Sequence, residues 1–175
     1  MIDHVKELED AGLSSLKIEG RMKSVYYVAV VTRAYRKAID NDKDADRYKR
    51  DIFDVSHREF TTGFFFSSGP IDATSDVSRP TSYGYERNYM FLGTVGKKID
   101  ENTYSLDIRN QIKRDGLEFI GPDVPLLTGD VTLLDGDLNE TDQLDHGKPG
   151  FIRTGLPLKE GYIMRRLTEG SPLIK

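Results

Sequence analysis

Apolar positions in the first sixty residues recur mostly at helical spacing, with one alternating stretch between. Ile2, Val5 and Leu8 share a helix face, and Gly12 predicts a C-terminal stop. Residues 15–19 alternate and predict a short strand. Ser24 then reads as the N-cap of an amphipathic helix whose apolar stripe is Val25, Val28, Ala29, Thr32, Tyr35 and Ile39. Polar residues 41–46 break this pattern, and a shorter helix is predicted over about 47–55. Helix, strand, helix with short links is a piece of an α/β unit.

The texture changes at residue 57. Phe64, Phe65 and Phe66 precede a Ser-, Thr-, Asp- and Pro-rich stretch that ends in Tyr83-Gly84-Tyr85, the composition of a connecting segment. From residue 88 the pattern is all-β. Strands are expected over 90–95, 103–109, 117–120, 126–134, 150–154 and 162–167, parted by Gly121-Pro122-Asp123, Asp135-Gly136-Asp137 and His146-Gly147. About six short strands in so few residues suggest a small closed barrel. The expected division is therefore 1–56, 57–87 and 88–175.

A lone strand between two helices satisfies neither its edges nor its faces. Either residues 1–42 are the last piece of a larger parallel α/β body supplied from elsewhere, or they pack on the β domain.

Composition narrows the function classes. The chain has 175 residues, 37% of them hydrophobic, which is enough for a packed core and argues against wholesale disorder. No apolar run is long enough to span a membrane, and the N-terminus lacks the pattern of a signal peptide. Cysteine is absent, so the chain forms no disulfide, supplies no thiol nucleophile and ligates no iron–sulfur cluster by itself. A cytoplasmic location is expected. Net charge is −4, against a nucleic-acid binder held by bulk charge. Residues 123–147 carry seven acids and no Lys or Arg, a stretch that repels phosphate backbones.

Candidate chemistry concentrates in Ser15-Leu16-Lys17-Ile18-Glu19-Gly20-Arg21-Met22-Lys23-Ser24. With period two, Leu16 and Ile18 share one face, and Lys17 and Glu19 the other. In an eight-stranded β/α barrel the charged pair would face the lumen, with Glu19 at the carboxyl end where such barrels keep their active sites. Arg21 and Lys23 follow directly before a helix start, a place suited to a phosphate or a carboxylate. The alternative is a Lys17–Glu19 ion pair with solvated Arg21 and Lys23. His57, beside Arg58, is a candidate general base or hydrogen-bond donor, or a structural residue. Arg109 and Asn110 end a strand and offer a polar ligand contact, or a plain solvated strand end. Arg165-Arg166 is a short basic pair. His4 and His146 lack partners at metal-ligand spacing, and no metal is expected.

These motifs resemble a known family. The segment from Ser15 to Ser24 resembles the signature near the end of the catalytic body of peptidase family U32, the collagenase-like proteases. Ile2-Asp3-His4-Val5-Lys6-Glu7-Leu8, Tyr26-Tyr27-Val28-Ala29, Arg33-Ala34-Tyr35-Arg36 and Ser56-His57-Arg58 with Phe60-Thr61-Thr62-Gly63-Phe64 are similar to family segments. So are Arg109-Asn110, Leu117-Glu118-Phe119-Ile120-Gly121-Pro122 and Gly161-Tyr162-Ile163-Met164-Arg165-Arg166 in the tail. The resemblance implies an α+β chain: a terminal strand–helix fragment of a TIM-like barrel, then a small all-β barrel. It implies that the chain is the C-terminal portion of a longer protein and is inactive alone. Members of the family take part in RNA hydroxylation, including prephenate-dependent hydroxylation of the tRNA wobble uridine, and others are described as peptidases. The resemblance therefore implies a tRNA partner or a protein substrate, an iron–sulfur cluster held by cysteines of the parent, and a prephenate-like cosubstrate. Glu19 would be catalytic, with Arg21, Lys23 and Lys17 binding the anion and His57, Arg58, Arg109 and Asn110 as further candidates. A non-catalytic docking role for the β domain is the remaining alternative.

Overall fold

The computed structural model describes residues 1–55, 62, 65–66 and 88–168. The chain divides into two compact units, Met1–Asn88 and Tyr89–Lys175. The expected connecting segment 57–87 lies almost entirely outside the described residues.

In the first unit a 3₁₀ turn, Ile2–His4, leads into helix α1, Val5–Asp10. Gly12 stops it in the left-handed region at φ 85°, with its N–H on the Glu9 carbonyl and the Leu13 N–H on that of Leu8. Helix α2, Val25–Ile39, starts where Ser24 Oγ accepts the Tyr27 N–H at 3.2 Å. It ends in the same reversed pattern: Asn41 sits at φ 51°, with its N–H on Ala38 O and the Asp42 N–H on Lys37 O. Helix α3, Ala45–Arg50, and a 3₁₀ turn, Asp51–Phe53, follow. The core between α2 and α3 is Ala34, Tyr48 and Ile52. Beside it the buried guanidinium of Arg33 bonds the buried Asp51 carboxylate and lies 4.9 Å over the Tyr48 ring.

Two expectations need correction here. Residues 13–20 belong to no helix and no ladder, so the predicted strand over 15–19 has no partner among the described residues. The buried face of α2 is Tyr26, Val30, Val31 and Ala34, whereas Val25, Val28 and Ile39 of the predicted stripe are exposed. The helix carries apolar residues on two sides, and the Arg33–Asp51 pair together with the Ala34–Tyr48 contact decides which side this unit covers.

The second unit is antiparallel. Strands β1 (Tyr89–Lys98), β2 (Thr103–Ile108), β4 (Glu118–Ile120), β5 (Thr132–Leu134), β6 (Glu140–Thr141), β8 (Phe151–Arg153) and β9 (Ile163–Leu167) form one sheet in the order β4-β9-β1-β2-β8-β5-β6. Strands β3 (Ile112–Lys113) and β7 (Gln143–Leu144) make a separate pair. The sheet is open, since β4 and β6 do not pair, so the expected closed barrel is replaced by a seven-stranded sheet among the described residues. Its strands are short and irregular, with register shifts in β1 between Phe91 and Gly93 and between Val95 and Lys98. One face buries Leu92, Val95, Phe119, Leu133, Ile152 and Met164 in a continuous core. No described helix is long and apolar enough to cross a membrane.

The bulge at Gly93 is required by close approach. Its φ is 152°, and a Cβ there would stand 2.1 Å from the Asp107 carbonyl oxygen. Substituting Gly93→Ala is expected to destabilise the sheet unit by about 3 kcal/mol or more, through strain plus overpacking. Urea unfolding followed by tyrosine fluorescence measures it, and a shift under about 1 kcal/mol would contradict the bulge geometry.

Candidate functional site

The turn at residues 20–23 is held locally. The Lys23 N–H donates to Gly20 O at 2.9 Å, and the Arg21 N–H donates to Glu19 Oε1 at 2.9 Å. Gly20 is pressed against α2, where an added Cβ would lie 2.9 Å from Val28 Cγ2. The Lys17 ammonium lies 3.6 Å from Glu19 Oε2, and both side chains are well exposed, so the pair is weak. The Lys23 ammonium lies 5.1 Å over the Tyr27 ring. The structure thus gathers Lys17, Glu19, Arg21 and Lys23 at one turn, on the surface of the first unit.

Under residues 13–19 lies a cavity of about 630 Å³. Leu8, Leu16, Ile18, Val31, Ile52 and Phe53 give it apolar walls, and Lys17 and Glu19 stand at its lining with Tyr27, Tyr35, Asp3 and Lys49. The size is that of a small-ligand site or of a missing packing element. Lys49 bonds Asp3, so its charge is matched. Burial, then the neighbouring Tyr27 and Asp3, push the Tyr35 phenol above its ordinary value, keeping it neutral and able to donate. Arg21 and Lys23 do not line the cavity. Sequence reasoning missed Tyr35, Asp3 and Lys49. Asp3 and Lys49 meet across 46 positions, which no local spacing reveals.

The other candidates separate from this turn. His57 and Arg58 lie outside the described residues. Arg109 pairs with Asp107 at 3.0 Å on its own strand end. The Asn110 amide donates to Phe91 O at 2.8 Å, and the N–H groups of Arg109 and Asn110 both reach Leu92 O, so this motif closes the β1 bulge. Arg165 of the basic pair is buried. Its Nε donates to Glu118 Oε2 at 3.0 Å, its guanidinium lies 4.0 Å over the Tyr89 ring, and the Tyr89 hydroxyl donates to Glu118 Oε1 at 3.1 Å. His4 bonds Glu7 and packs on Phe66. Among the described residues no cluster of three His, Asp or Glu groups is placed to hold a metal ion.

Three acids of the 123–147 stretch are engaged within the sheet unit. Asp135 Oδ1 accepts the N–H groups of Asp137 and Asn139, and Asp145 accepts from Gln111, Gln143 and Lys148. Asp123 accepts from Lys159 and from the Tyr162 hydroxyl, the latter at 2.6 Å, which lowers its pKa to about 2.

The chain is thus a mixed α and β protein: a helical unit bearing a charged, unpaired strand end, and an antiparallel sheet unit. Residues 1–74 match the model of Peptidase family U32. The chain is 32% identical over 159 residues to tRNA hydroxylation protein P1 of Bacillus subtilis (strain 168), covering 83% of this chain and 36% of the relative. It is 32% identical over 129 residues to tRNA hydroxylation protein P of Haemophilus influenzae, covering 69% of this chain and 27% of the relative. Among solved structures, the C-terminal domain of a Geobacillus thermoleovorans U32 peptidase is similar at 27% identity and a TM-score of 0.39, covering 44% of this chain and 99% of that domain. Over residues 1–74 the chain is therefore similar to peptidase family U32. It spans about a third of the length of the curated relatives it matches.

Because the folded pKa of Asp123 lies below the ordinary carboxylate value near 4, its bonds stabilise the sheet unit above about pH 4, and that stabilisation is lost as pH falls through about 2. Asp123→Asn should flatten the acid limb of a pH series of urea midpoints between these values. An unchanged limb would show that the Lys159–Asp123–Tyr162 contact contributes nothing to it.

Proposed function

We propose that this chain is the C-terminal part of a U32 protein that takes part in tRNA hydroxylation, with the turn at residues 19–23 on the wall of its active pocket. The carrying observation is the 32% identity to tRNA hydroxylation protein P1 across 83% of this chain. Arg21 and Lys23 hold an anion there, a prephenate-like dicarboxylate or an RNA phosphate. Glu19 orients the turn through the Arg21 N–H and handles a proton, and Lys17 completes the positive rim. The modified position on this reading is the wobble uridine.

The same reading makes the first unit the closing element of a TIM-like barrel. Two features support it. Residues 14–18 make no backbone hydrogen bond among the described residues, which suits a strand awaiting neighbours. Among the described residues the first unit exposes nine large hydrophobic side chains while burying seven hydrophobic ones, whereas the second exposes three and buries seventeen. A unit so composed is built to be covered.

The chain holds no cysteine, so its residues do not fit an iron–sulfur cluster, and no step assigned to them runs through one. Cluster ligands belong to the rest of the parent on this reading.

Replacing Arg21→Ala in the full-length protein should lower hydroxyuridine in tRNA on the order of 100-fold, the scale of a lost positioning contact, measured by mass spectrometry of nucleosides. Undiminished hydroxyuridine overturns the role of Arg21. Gelatin cleavage by the full-length protein, abolished by one substitution at a nucleophile, would replace hydroxylation with proteolysis. Amide exchange supplies a separate check. Residues 14–18 should exchange without protection in this chain and become protected in the full-length protein, and equal protection in both would overturn the barrel assignment.

A further inference from the structure

The basic pair Arg165-Arg166 is split between two environments. Arg165 is buried on Glu118, whereas Arg166 is partly buried and makes no ion pair among the described residues. Pairing of β4 with β9 sets Glu118 opposite Arg165, which brings the loop just before β4 alongside Arg166. Gly116 permits the approach. It sits at φ 67°, and a Cβ there would lie 3.6 Å from Arg166 Cγ and 3.7 Å from Cδ, so the aliphatic stem of Arg166 runs over the loop. The loop is anchored at both ends, because Ile112 and Leu117 are buried in the core of the sheet unit.

That contact gathers positive charge from two distant parts of the chain. Arg114 stands two residues before Gly116, at most about 7 Å along the backbone, so its long side chain reaches the neighbourhood of Arg166. Lys113 precedes it. Both are exposed, and neither makes an ion pair among the described residues. Asp115, the acid of the loop, pairs with none of the three cations. Across the β3–β7 pair, Asp145 is occupied by Gln111, Gln143 and Lys148. Like charges held this close repel one another, and an anion between them removes the cost. Guanidinium forks match phosphate oxygens two at a time, and a nucleic-acid backbone presents phosphates in a row.

We infer that this loop, through Lys113, Arg114 and Arg166, is a contact of the sheet unit for the phosphate backbone of RNA. The inference rests on the proposed role in tRNA hydroxylation and adds a site in the second unit to the one proposed at residues 19–23. Contacts of this kind position the RNA without reading its bases.

Filter binding of a radiolabelled tRNA transcript by the full-length protein over a range of salt tests it. Arg114→Ala and Arg166→Met should each lower the slope of log affinity against log salt by about 0.7 to 0.9, the value for one phosphate, and the double variant by about twice that. Arg166→Met keeps the stem over Gly116, so its loss reads charge and not packing. Arg166→Lys keeps the charge and should retain the wild-type slope. Wild-type slopes in Arg114→Ala, Arg166→Met and the double variant overturn the contact while leaving the hydroxylation reading intact. Wild-type protein that binds no tRNA overturns both. An acidic peptide is the rival occupant: polyglutamate binding that weakens in these variants while tRNA binding does not assigns the loop to carboxylates and overturns the inference.

Discussion

Backbone polar groups must find partners or water, and residues 14–18 find no backbone partner among the described residues. This one deficit organises the rest of the first unit. The segment alternates apolar with charged residues, the pattern of a strand, without the ladder that makes one. It keeps Leu16 and Ile18 at the cavity beneath and leaves Lys17 and Glu19 at its margin. It also ends in the tight turn that sets Arg21, Met22 and Lys23. The helices on either side are stopped by left-handed residues, Gly12 and Asn41, that need no tertiary help, so the deficit stays confined to the segment between them.

Charges in this chain divide by environment. Arg33–Asp51 and Glu118–Arg165 are shielded from water and support packing: each guanidinium also lies on a tyrosine ring, Tyr48 in one case and Tyr89 in the other. Breaking such a pair strands a buried charge, at a cost of about 3–5 kcal/mol. Within 123–147, Asp135 serves a turn, its carboxylate accepting two N–H groups, while Asp123 and Asp145 accept from side chains of the sheet unit. In the 17–23 segment Glu19 likewise holds a turn through the Arg21 N–H, while its pair with Lys17 is well exposed.

Local rules made much of the fold legible. Ser24 and Gly12 marked helix limits. The six longer strands of the sheet were visible from β-branched and aromatic alternation between turns. The two-residue strands β3, β6 and β7 were not, because pairs that short leave no period to read. The stripe on α2 was misassigned for a different reason: both sides of the helix are apolar, and periodicity ranks them equally. Of the site, Lys17, Glu19, Arg21 and Lys23 were legible because all four lie on one short segment. Tyr35, Asp3 and Lys49 were not, since they join the cavity from separate helices and turns.

The sequence alone determined the capped helices, the β character from residue 89 onward, the crowding of charge at 17–23 and the resemblance to peptidase family U32. These are properties of neighbouring residues, set by backbone preference and spacing. Only the tertiary structure decided which face of α2 is buried, that the sheet stays open, that Arg165 and Asn110 serve packing and that Met22 stands out in water. Each of those outcomes depends on contacts between residues distant in the chain, where competing arrangements differ by a few buried bonds that no local pattern can rank.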